Sequence, residues 1–597
     1  MARMVRPVFG ILALTLSALP ALSQDIRFRI TEHSDLRPAL EAASLLVAQE
    51  ASGEASAQDI VAAARADYPR LLAALYAEGY FGATVSILVD GREAAGIAPL
   101  DGPSSIRGVE IIVTPGPAFR FGATEASPLP EGAEMPAAFA SGLAASTDAI
   151  REAAQAGIQA WRNTGHAKAA LESQRIIAVQ RESQLEVSLG FAPGARLAFG
   201  PVAVEGNSTV SDDRIREIAG LPEGAVYSPA EIDRALARLR RTGAFRAASL
   251  TEADEATADL ALPTTLNIVE EKPRRLGFGA ELTSFDGLAL SAYWMHRNLL
   301  GGSENLRIDG SVEGIGGTTG ALDARLGAAF VRPATLDADT DLLAEAEILH
   351  REDPLYGMNS ASLDIGLRRR FGETLQLSLA VGAKTAQITD DLGTRSYTVL
   401  TLPGTATFDR RDNALDAHKG YFLDAKATPF LSLAGDAATG LRLWTEGRVY
   451  FSPGETDNLT FALRGQLGSV MGPDLLSAPP DYLFFSGGGG TVRGQPYQSL
   501  AIDLGGGDRI GGLSLAALSG EVRANVTDTI GIVGFADAGY VGASALPLTD
   551  GDWHAGAGIG VRYQTGLGPL RLDVATPVTG AGAGQSVNIY IGIGQAF

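Results

Sequence analysis

The chain has no cysteine among its 597 residues. Disulfides, thiol nucleophiles and cysteine-rich zinc sites are therefore excluded, while an oxidising compartment stays open to it. Basic residues are scarce, 48 Lys+Arg against 69 Asp+Glu, for a net charge of −21. A phosphate backbone is gripped by a basic face, so no nucleic acid is expected as a partner. The six histidines (His33, His166, His296, His350, His418 and His554) are scattered, without H-E-x-x-H or any other ligand spacing. No G-x-S-x-G elbow occurs, and Gly487 to Gly490 lacks the lysine and helix of a phosphate loop. The expectation is a protein that is not an enzyme and takes neither cofactor nor metal. Past the N-terminal segment there is no run of 18 apolar residues, so no transmembrane helix is predicted. A closed barrel remains possible, since closure satisfies every backbone polar group inside a bilayer.

The N-terminal segment reads as a signal peptide over residues 1–23. Arg3 and Arg6 form a basic start and Val8 to Leu19 an apolar stretch too short to span, while Ala21-Leu22-Ser23 before Gln24 fits a cleavage site. A signal anchor or a buried N-terminal helix is the other reading of these residues.

In the first half, one pattern recurs: helix, glycine turn, alternating strand. Leu71-Leu72-Ala73-Ala74-Leu75 leads to Gly79-Tyr80-Phe81 and then to Val85, Ile87 and Val89. Ile158 and Trp161 lead to Gly165-His166-Ala167 and a strand around Ile176 to Val179. Ile232, Leu236 and Leu239, on one helix face, lead to Gly243-Ala244-Phe245. A glycine just past the last helical turn suits the left-handed cap position. Pro115-Gly116-Pro117-Ala118-Phe119-Arg120-Phe121-Gly122 also resembles Pro193-Gly194-Ala195-Arg196-Leu197-Ala198-Phe199-Gly200. Asn207-Ser208-Thr209 reads as a turn, although it is formally a glycosylation sequon. Together, Val204-Glu205-Gly206-Asn207, the helix pair after Ser211 and Thr242-Gly243-Ala244-Phe245 resemble a POTRA domain, the β-α-α-β-β periplasmic module of outer-membrane assembly proteins. The expected modules are 24–117, 118–195 and 196–271.

From about residue 274 the period becomes two. Leu375, Leu377, Leu379 and Val381 alternate with polar or small residues, as do Leu459, Phe461, Leu463 and Leu467. Such segments put apolar groups toward lipid and polar groups toward a wet lumen. Residues 272–597 are therefore expected to form an antiparallel transmembrane barrel of about sixteen strands, at roughly 20 residues per strand and connection. At its end, Ile589, Ile591, Ile593 and Phe597 fall on one face, with Gly592 and Gly594 weakening the strand. The strand at Gly277, Phe278 and Gly279 is expected to pair with this last strand at a seam.

Several strings resemble the BamA/TamA superfamily over essentially all the mature chain. Val492-Arg493-Gly494, followed by Tyr497, resembles the Arg-Gly motif of the long sixth loop, and Phe535-Ala536-Asp537-Ala538-Gly539 the strand motif that receives the arginine. Arg297-Asn298-Leu299-Leu300-Gly301, Asp409-Arg410-Arg411-Asp412 and Gly568-Pro569-Leu570-Arg571-Leu572-Asp573 match further strings. The family places an aromatic directly after Arg-Gly. This chain has Gln495, which leaves Tyr497 as the residue expected to take over that packing. Spacing alone favours a solvated loop arginine over a lumen pair with Asp537, although a guanidinium is suited to such a pair. The resemblance favours the pair.

The resemblance implies an outer-membrane location, periplasmic modules and a lipid-facing barrel. Three modules point to the TamA branch, since BamA-type proteins typically carry five and two-partner secretion transporters two. The implied substrates are unfolded outer-membrane proteins or autotransporters, and the implied partner is a periplasm-spanning protein of the TamB kind. A C-terminal Phe597 resembles the sorting signal of such barrels. The competing readings are a passive pore with a docking scaffold and a two-partner secretion transporter.

Overall fold

The computed structural model describes residues 25–52, 56–98, 103–283, 287–316, 322–454, 456–566, 568–580, 583–584 and 586–597. The expected signal peptide, 1–23, lies outside the described residues. The chain forms two compact units. One runs to Gly200 and takes in Glu223–Ala230 and Glu255–Leu262, and the other holds Pro201–Pro222, Glu231–Asp254 and Pro263–Phe597.

The first unit contains two small α/β layers. In the first, strands β1 (Asp25–Ile30), β2 (Thr84–Val89), β3 (Arg92–Glu93) and β4 (Gly108–Thr114) form a sheet in the order β1-β4-β2-β3. Helices α1 (Arg37–Ala43), α2 (Leu45–Ser52) and α3 (Ala57–Ala77) accompany it. The start of α3 is fixed by a capping box, Ser56 accepting from the Asp59 N–H while Asp59 accepts from the Ser56 N–H. Its apolar face, Ile60, Ala64, Leu71 and Leu75, packs on Ile87, Ile111 and Val113. In the second layer β5 (Arg120–Ser127), β6 (Ala170–Val179) and β7 (Gln184–Ala192) run in the order β5-β7-β6 beside α4 (Thr147–Asn163). The β-α-α-β-β pattern expected for every module is not met here, because residues 128–146 hold turns and bends instead of a first helix. Pro128, Pro130, Gly132, Pro136 and Gly142 explain this, since proline removes helical donors and glycine favours the coil.

The third α/β layer has β8 (Ala198–Glu205), α5 (Asp212–Ala219), α6 (Pro229–Arg241), β9 (Phe245–Glu252) and β10 (Ala261–Glu270), with sheet order β8-β10-β9. Helix α5 ends at Gly220, whose φ of 60° is the left-handed cap conformation. Its core, Val210, Ile215, Ile218, Leu239, Leu266 and Ile268, also admits Ala334 from a turn later in the same unit. That docking is polar as well. Arg238 binds Asp339 through Nε (2.8 Å) and Nη2 (2.7 Å), Arg214 donates to the Pro333 carbonyl (2.6 Å), and Asn298 of the Arg297–Gly301 string donates to Thr209 Oγ1 (3.1 Å).

The barrel strands are β11 (Arg274–Thr283), β12 (Gly287–His296), β13 (Asn305–Gly316), β14 (Asp323–Arg332), β15 (Thr340–Asp353), β16 (Tyr356–Phe371), β17 (Leu375–Asp390), β18 (Gly393–Thr401), β19 (Gly404–Asp409), β20 (Gly420–Gly435), β21 (Gly440–Phe451) and β22 (Leu459–Met471). A long loop carrying the hairpin β23 (Ile502–Gly505) and β24 (Asp508–Ile510) follows. The wall resumes with β25 (Ser514–Asn525), β26 (Ile530–Gly542), β27 (Gly551–Tyr563), β28 (Leu570–Thr579) and β29 (Asn588–Ile593). The ladder is a 17-stranded antiparallel sheet from β11 to β29. Both β18 and β19 pair with β17 on one side and β20 on the other, so they are two halves of one wall position interrupted at Leu402-Pro403, where proline cannot donate. Sixteen positions around the wall result, the number expected from length.

The pairing expected between the strand at 277–282 and the last strand is absent. Among the described residues no ladder joins β11 to β29. The chain leaves the wall at Gly594, φ 85°. From there it turns inward, and Phe597 lies only 6% exposed against Ala417, Tyr450 and Ala462 rather than on the lipid face. Arg523 Nη2 donates to the Phe597 carbonyl (2.9 Å), and both Arg464 and Arg523 lie over its ring. A guanidinium over an aromatic face is a cation–π contact, which holds the ring inward.

Glu270, at the end of β10, is seated in the turn read above as Asn207-Ser208-Thr209. It accepts from the N–H groups of Ser208 (2.8 Å), Thr209 (2.9 Å) and Val210 (2.9 Å) and from the hydroxyls of Ser208 (2.9 Å) and Thr209 (2.6 Å). Burial by itself would raise its pKa. The Thr209 hydroxyl and the three N–H groups outweigh burial and hold it down at about 2, against an ordinary 4.5. A depressed carboxylate contributes stability that is fully present above pH 4.5 and is lost as pH falls toward 2. Glu270→Gln should therefore lower the module's stability by about 1–3 kcal/mol at pH 7. By thermal unfolding across pH, its gap to the parent should close between pH 4.5 and 2. A gap that stays constant over that window contradicts this assignment.

Candidate functional site

Within the barrel, the loop between β22 and β25 turns back against the wall. Tyr482, Leu483, Phe484, Ile510 and Leu513 pack on Ile388, Val399, Phe430 and Val470. Further along it, Val492 is fully buried and Arg493 is only 2% exposed. A buried guanidinium costs several kcal/mol unless its donors are met by charge and good geometry.

Asp537 supplies a bidentate partner. Arg493 Nε reaches Oδ2 at 2.8 Å and Nη2 reaches Oδ1 at 3.0 Å, and the Arg493 backbone N–H adds a third bond at 3.0 Å. The remaining nitrogen, Nη1, contacts Glu521 (2.6 Å) and Asp573 (3.4 Å). Phe535 lies flat beneath, 3.6 Å from ring centroid to guanidinium carbon. The two extra carboxylates have cations of their own, Arg523 on Glu521 (2.8 Å) and Arg562 on Asp573 (2.5 Å). Arg571 adds a looser contact, its Nε 3.8 Å from Asp573, so four guanidinium groups face three buried carboxylates. Arg-carboxylate forks of this kind are the strong class of ion pair.

Strand register explains how the cluster assembles. Ser519 lies opposite Asp537 and Glu521 opposite Phe535, so β25 and β26 present these groups on one face. On β27 the facing positions are Gly556, Gly558 and Gly560, opposite Asp537, Phe535 and Val533. A Cβ at Gly556 would overlap the Arg493 carbonyl, one at Gly558 would lie 2.5 Å from the Phe535 ring, and one at Gly560 would overlap Asp573. This glycine stripe makes the room that the arginine and its ring occupy.

Of the residues singled out from the sequence, Val492, Arg493, Gly494, Phe535, Asp537 and Gly539 come together, a Cβ at Gly539 meeting Ser486 and Val492. Tyr497 does not join them. It is 59% exposed, its hydroxyl 3.4 Å from Asp353. Gln495 fills the place instead, buried, with its amide donating to the carbonyls of Ala555 (2.8 Å) and Thr579 (2.5 Å). An amide with two aligned acceptors thus follows Arg493-Gly494 directly, where the resemblance led to the expectation of an aromatic. At the seam, Gly277 and Gly279 face Tyr293 and Ser291 across β12, and Phe278 is 83% exposed on the outer face. Ile589, Ile591 and Ile593 also point outward, Ile591 being 80% exposed, while Gly592 lies opposite Arg571. Glu521 and the β27 glycines were not singled out, and Asp573 entered only as the end of the Gly568–Asp573 string, with no role assigned to it. The period-two glycines in Gly556-Ala557-Gly558-Ile559-Gly560 were the available signal.

The model of the Omp85 superfamily domain matches residues 298–597, and that of POTRA, the surface antigen variable number repeat, matches 198–270. The chain belongs to the Omp85 superfamily. Its barrel is an outer-membrane barrel and its POTRA domain is periplasmic; Omp85 proteins are outer-membrane assembly or transport proteins. Among solved structures, BamA from Haemophilus ducreyi lacking POTRA domains 1–3 is similar at a TM-score of 0.60 and 16% identity, over 80% of this chain and 98% of that one. CdiB from Acinetobacter baumannii matches at a TM-score of 0.47 and 12% identity, over 79% and 89% of the two chains. CdiB from Escherichia coli matches at 0.47 and 13%, over 80% and 90%.

Removing one partner of the cluster strands a buried charge, at a cost of about 3–5 kcal/mol. Arg493→Ala and Asp537→Asn should each lower the temperature at which the folded barrel band converts to the unfolded one in a gel, and the double variant should fall short of the sum of the two. Parent-like heat modifiability in both single variants contradicts the pairing's role.

Proposed function

We propose that this Omp85 protein is an assembly factor of the TamA kind, which inserts unfolded outer-membrane proteins or autotransporters through the junction between β11 and β29. The carrying observation is that this junction alone lacks a ladder among the described residues, while every other neighbouring pair in the wall is hydrogen-bonded. An unpaired strand edge in lipid is a template for another strand, because each unmet backbone group there costs several kcal/mol. β11 offers ten residues of such an edge.

Wall height supports the same reading. β29 has six residues, whereas β16 and β17 have 16 each. A tilted strand needs about 9–11 residues to cross the hydrocarbon core, so the bilayer beside β29 must thin or deform. Thinning lowers the barrier for an incoming strand. The loop packed within the barrel argues against a passive pore, since a conducting channel needs an open path.

On this reading residues 24–117, 118–195 and 196–271 are three POTRA-type modules. The first, the module most distant in sequence from the barrel, takes a periplasm-spanning partner of the TamB kind. Gly592, Gly594 and the inward-turned Phe597 keep the last strand short and easily parted from its neighbour.

The test uses the absence of native cysteine. A pair placed on β11 and β29, at Phe278 and Ile591, is joined by a bifunctional thiol reagent in the assembled protein. Linking should block insertion of a test autotransporter into the outer membrane and leave heat modifiability intact, with activity returning when a reducible linker is cleaved. Full insertion with the junction demonstrably linked contradicts lateral entry.

A further inference from the structure

We infer that Asn588 and Tyr590 are positioning residues that tie the last wall strand to the inward loop, so that release of the loop and loosening of the seam strand are one coupled event. The bonds converge on Gly494. Its N–H donates to the Tyr590 hydroxyl (3.0 Å) and its carbonyl accepts from Asn588 Nδ2 (2.6 Å), so both of its backbone groups are committed to β29. Only glycine fits there. Its φ is 92°, and a Cβ would come 2.6 Å from the Thr576 carbonyl oxygen.

Period two sets the arrangement. Asn588 lies opposite Ala575 and Tyr590 opposite Asp573, which places both on the lumen face beside the charge cluster. The Tyr590 ring packs against Val533, Phe535 and Ala575, and Phe535 is the ring beneath Arg493. Three consecutive loop residues thereby reach each of the last five strands. Arg493 reaches β25, β26 and β28 through Glu521, Asp537 and Asp573. Gln495 reaches β27 and β28 through the Ala555 and Thr579 carbonyls, and Gly494 reaches β29. The first four of these strands also have a ladder on both edges, whereas β29 is paired on the β28 side alone among the described residues. Two bonds from the loop therefore matter most where the ladder is weakest. A strand of six residues held on one edge is loosened when the loop withdraws, and the loop is loosened when that strand leaves.

The inference rests on β11–β29 being the working seam, and its test is read separately from assembly. The full chain is placed in lipid nanodiscs, and hydrogen exchange is followed in residues 586–597 with β16 as internal reference. Tyr590→Phe keeps the ring packing and removes only the acceptor. It should speed exchange in 586–597 by about three- to tenfold, the range of one net hydrogen bond, and leave β16 unchanged. Arg493→Ala, which frees the loop, should give a similar rise, and Tyr590→Phe added to it should give no more. If Arg493→Ala lowers the folded yield, Gln495→Ala replaces it, since it leaves the charge cluster intact. Parent-like exchange in Tyr590→Phe overturns the coupling. So does a full multiplicative effect in the double variant, which would mean that the Tyr590 hydroxyl acts independently of the loop. Faster exchange with undiminished assembly would instead leave the coupling standing and remove the seam reading.

Discussion

A guanidinium withdrawn from water into a barrel must be neutralised where it sits, and the last third of this wall is arranged around that requirement. Asp537 takes two donors and the backbone N–H of Arg493, Glu521 and Asp573 share the third nitrogen, and Arg523 and Arg562 restore the balance. The charges are met only because β27 contributes no side chain at Gly556, Gly558 and Gly560. The Arg493 position therefore depends on strand register across β25 to β28, and a slip of one residue would turn every one of these groups to lipid. The loop is thereby fixed to the wall.

The same arrangement leaves one junction apart. Hairpins and ladders secure the wall elsewhere, but β11 and β29 come from opposite ends of the barrel sequence and share no backbone bonds among the described residues. The last strand is short, and the chain after it turns into the barrel at Gly594 and buries Phe597 between arginines. Strength in the Arg493 cluster and weakness at the seam are complementary.

Much of the fold was legible because its signals are local. The glycine after each helix, the switch to period two near residue 274 and the length per strand together anticipate the α/β layers and a wall of sixteen positions. Arg493 with Asp537 was legible through motif resemblance, not spacing. Glu521 and Asp573 were not, since each is one polar group among many in alternating strands and only register identifies it as a partner. The same holds for Glu270, whose donors lie some 60 positions earlier in the chain. The inward turn at Gly594 was hidden because the alternation Ile589-x-Ile591-x-Ile593 runs up to it without a break. Tyr497 misled because an aromatic was sought where the family has one, and Gln495 meets the site with two hydrogen bonds instead. The missing helix over 128–146 was visible in its prolines, which the repeat pattern outweighed.

Among the described residues, the β11–β29 junction is the one place where this wall is not held. Spin labels at Phe278 and Ile591, compared in a lipid bilayer with labels at Leu290 and Val312, which face one another across β12 and β13, test it most directly. The account predicts a short, narrow distance distribution for the control pair and a broad distribution extending to longer distances for the seam pair. A seam distribution as short and narrow as the control would contradict it.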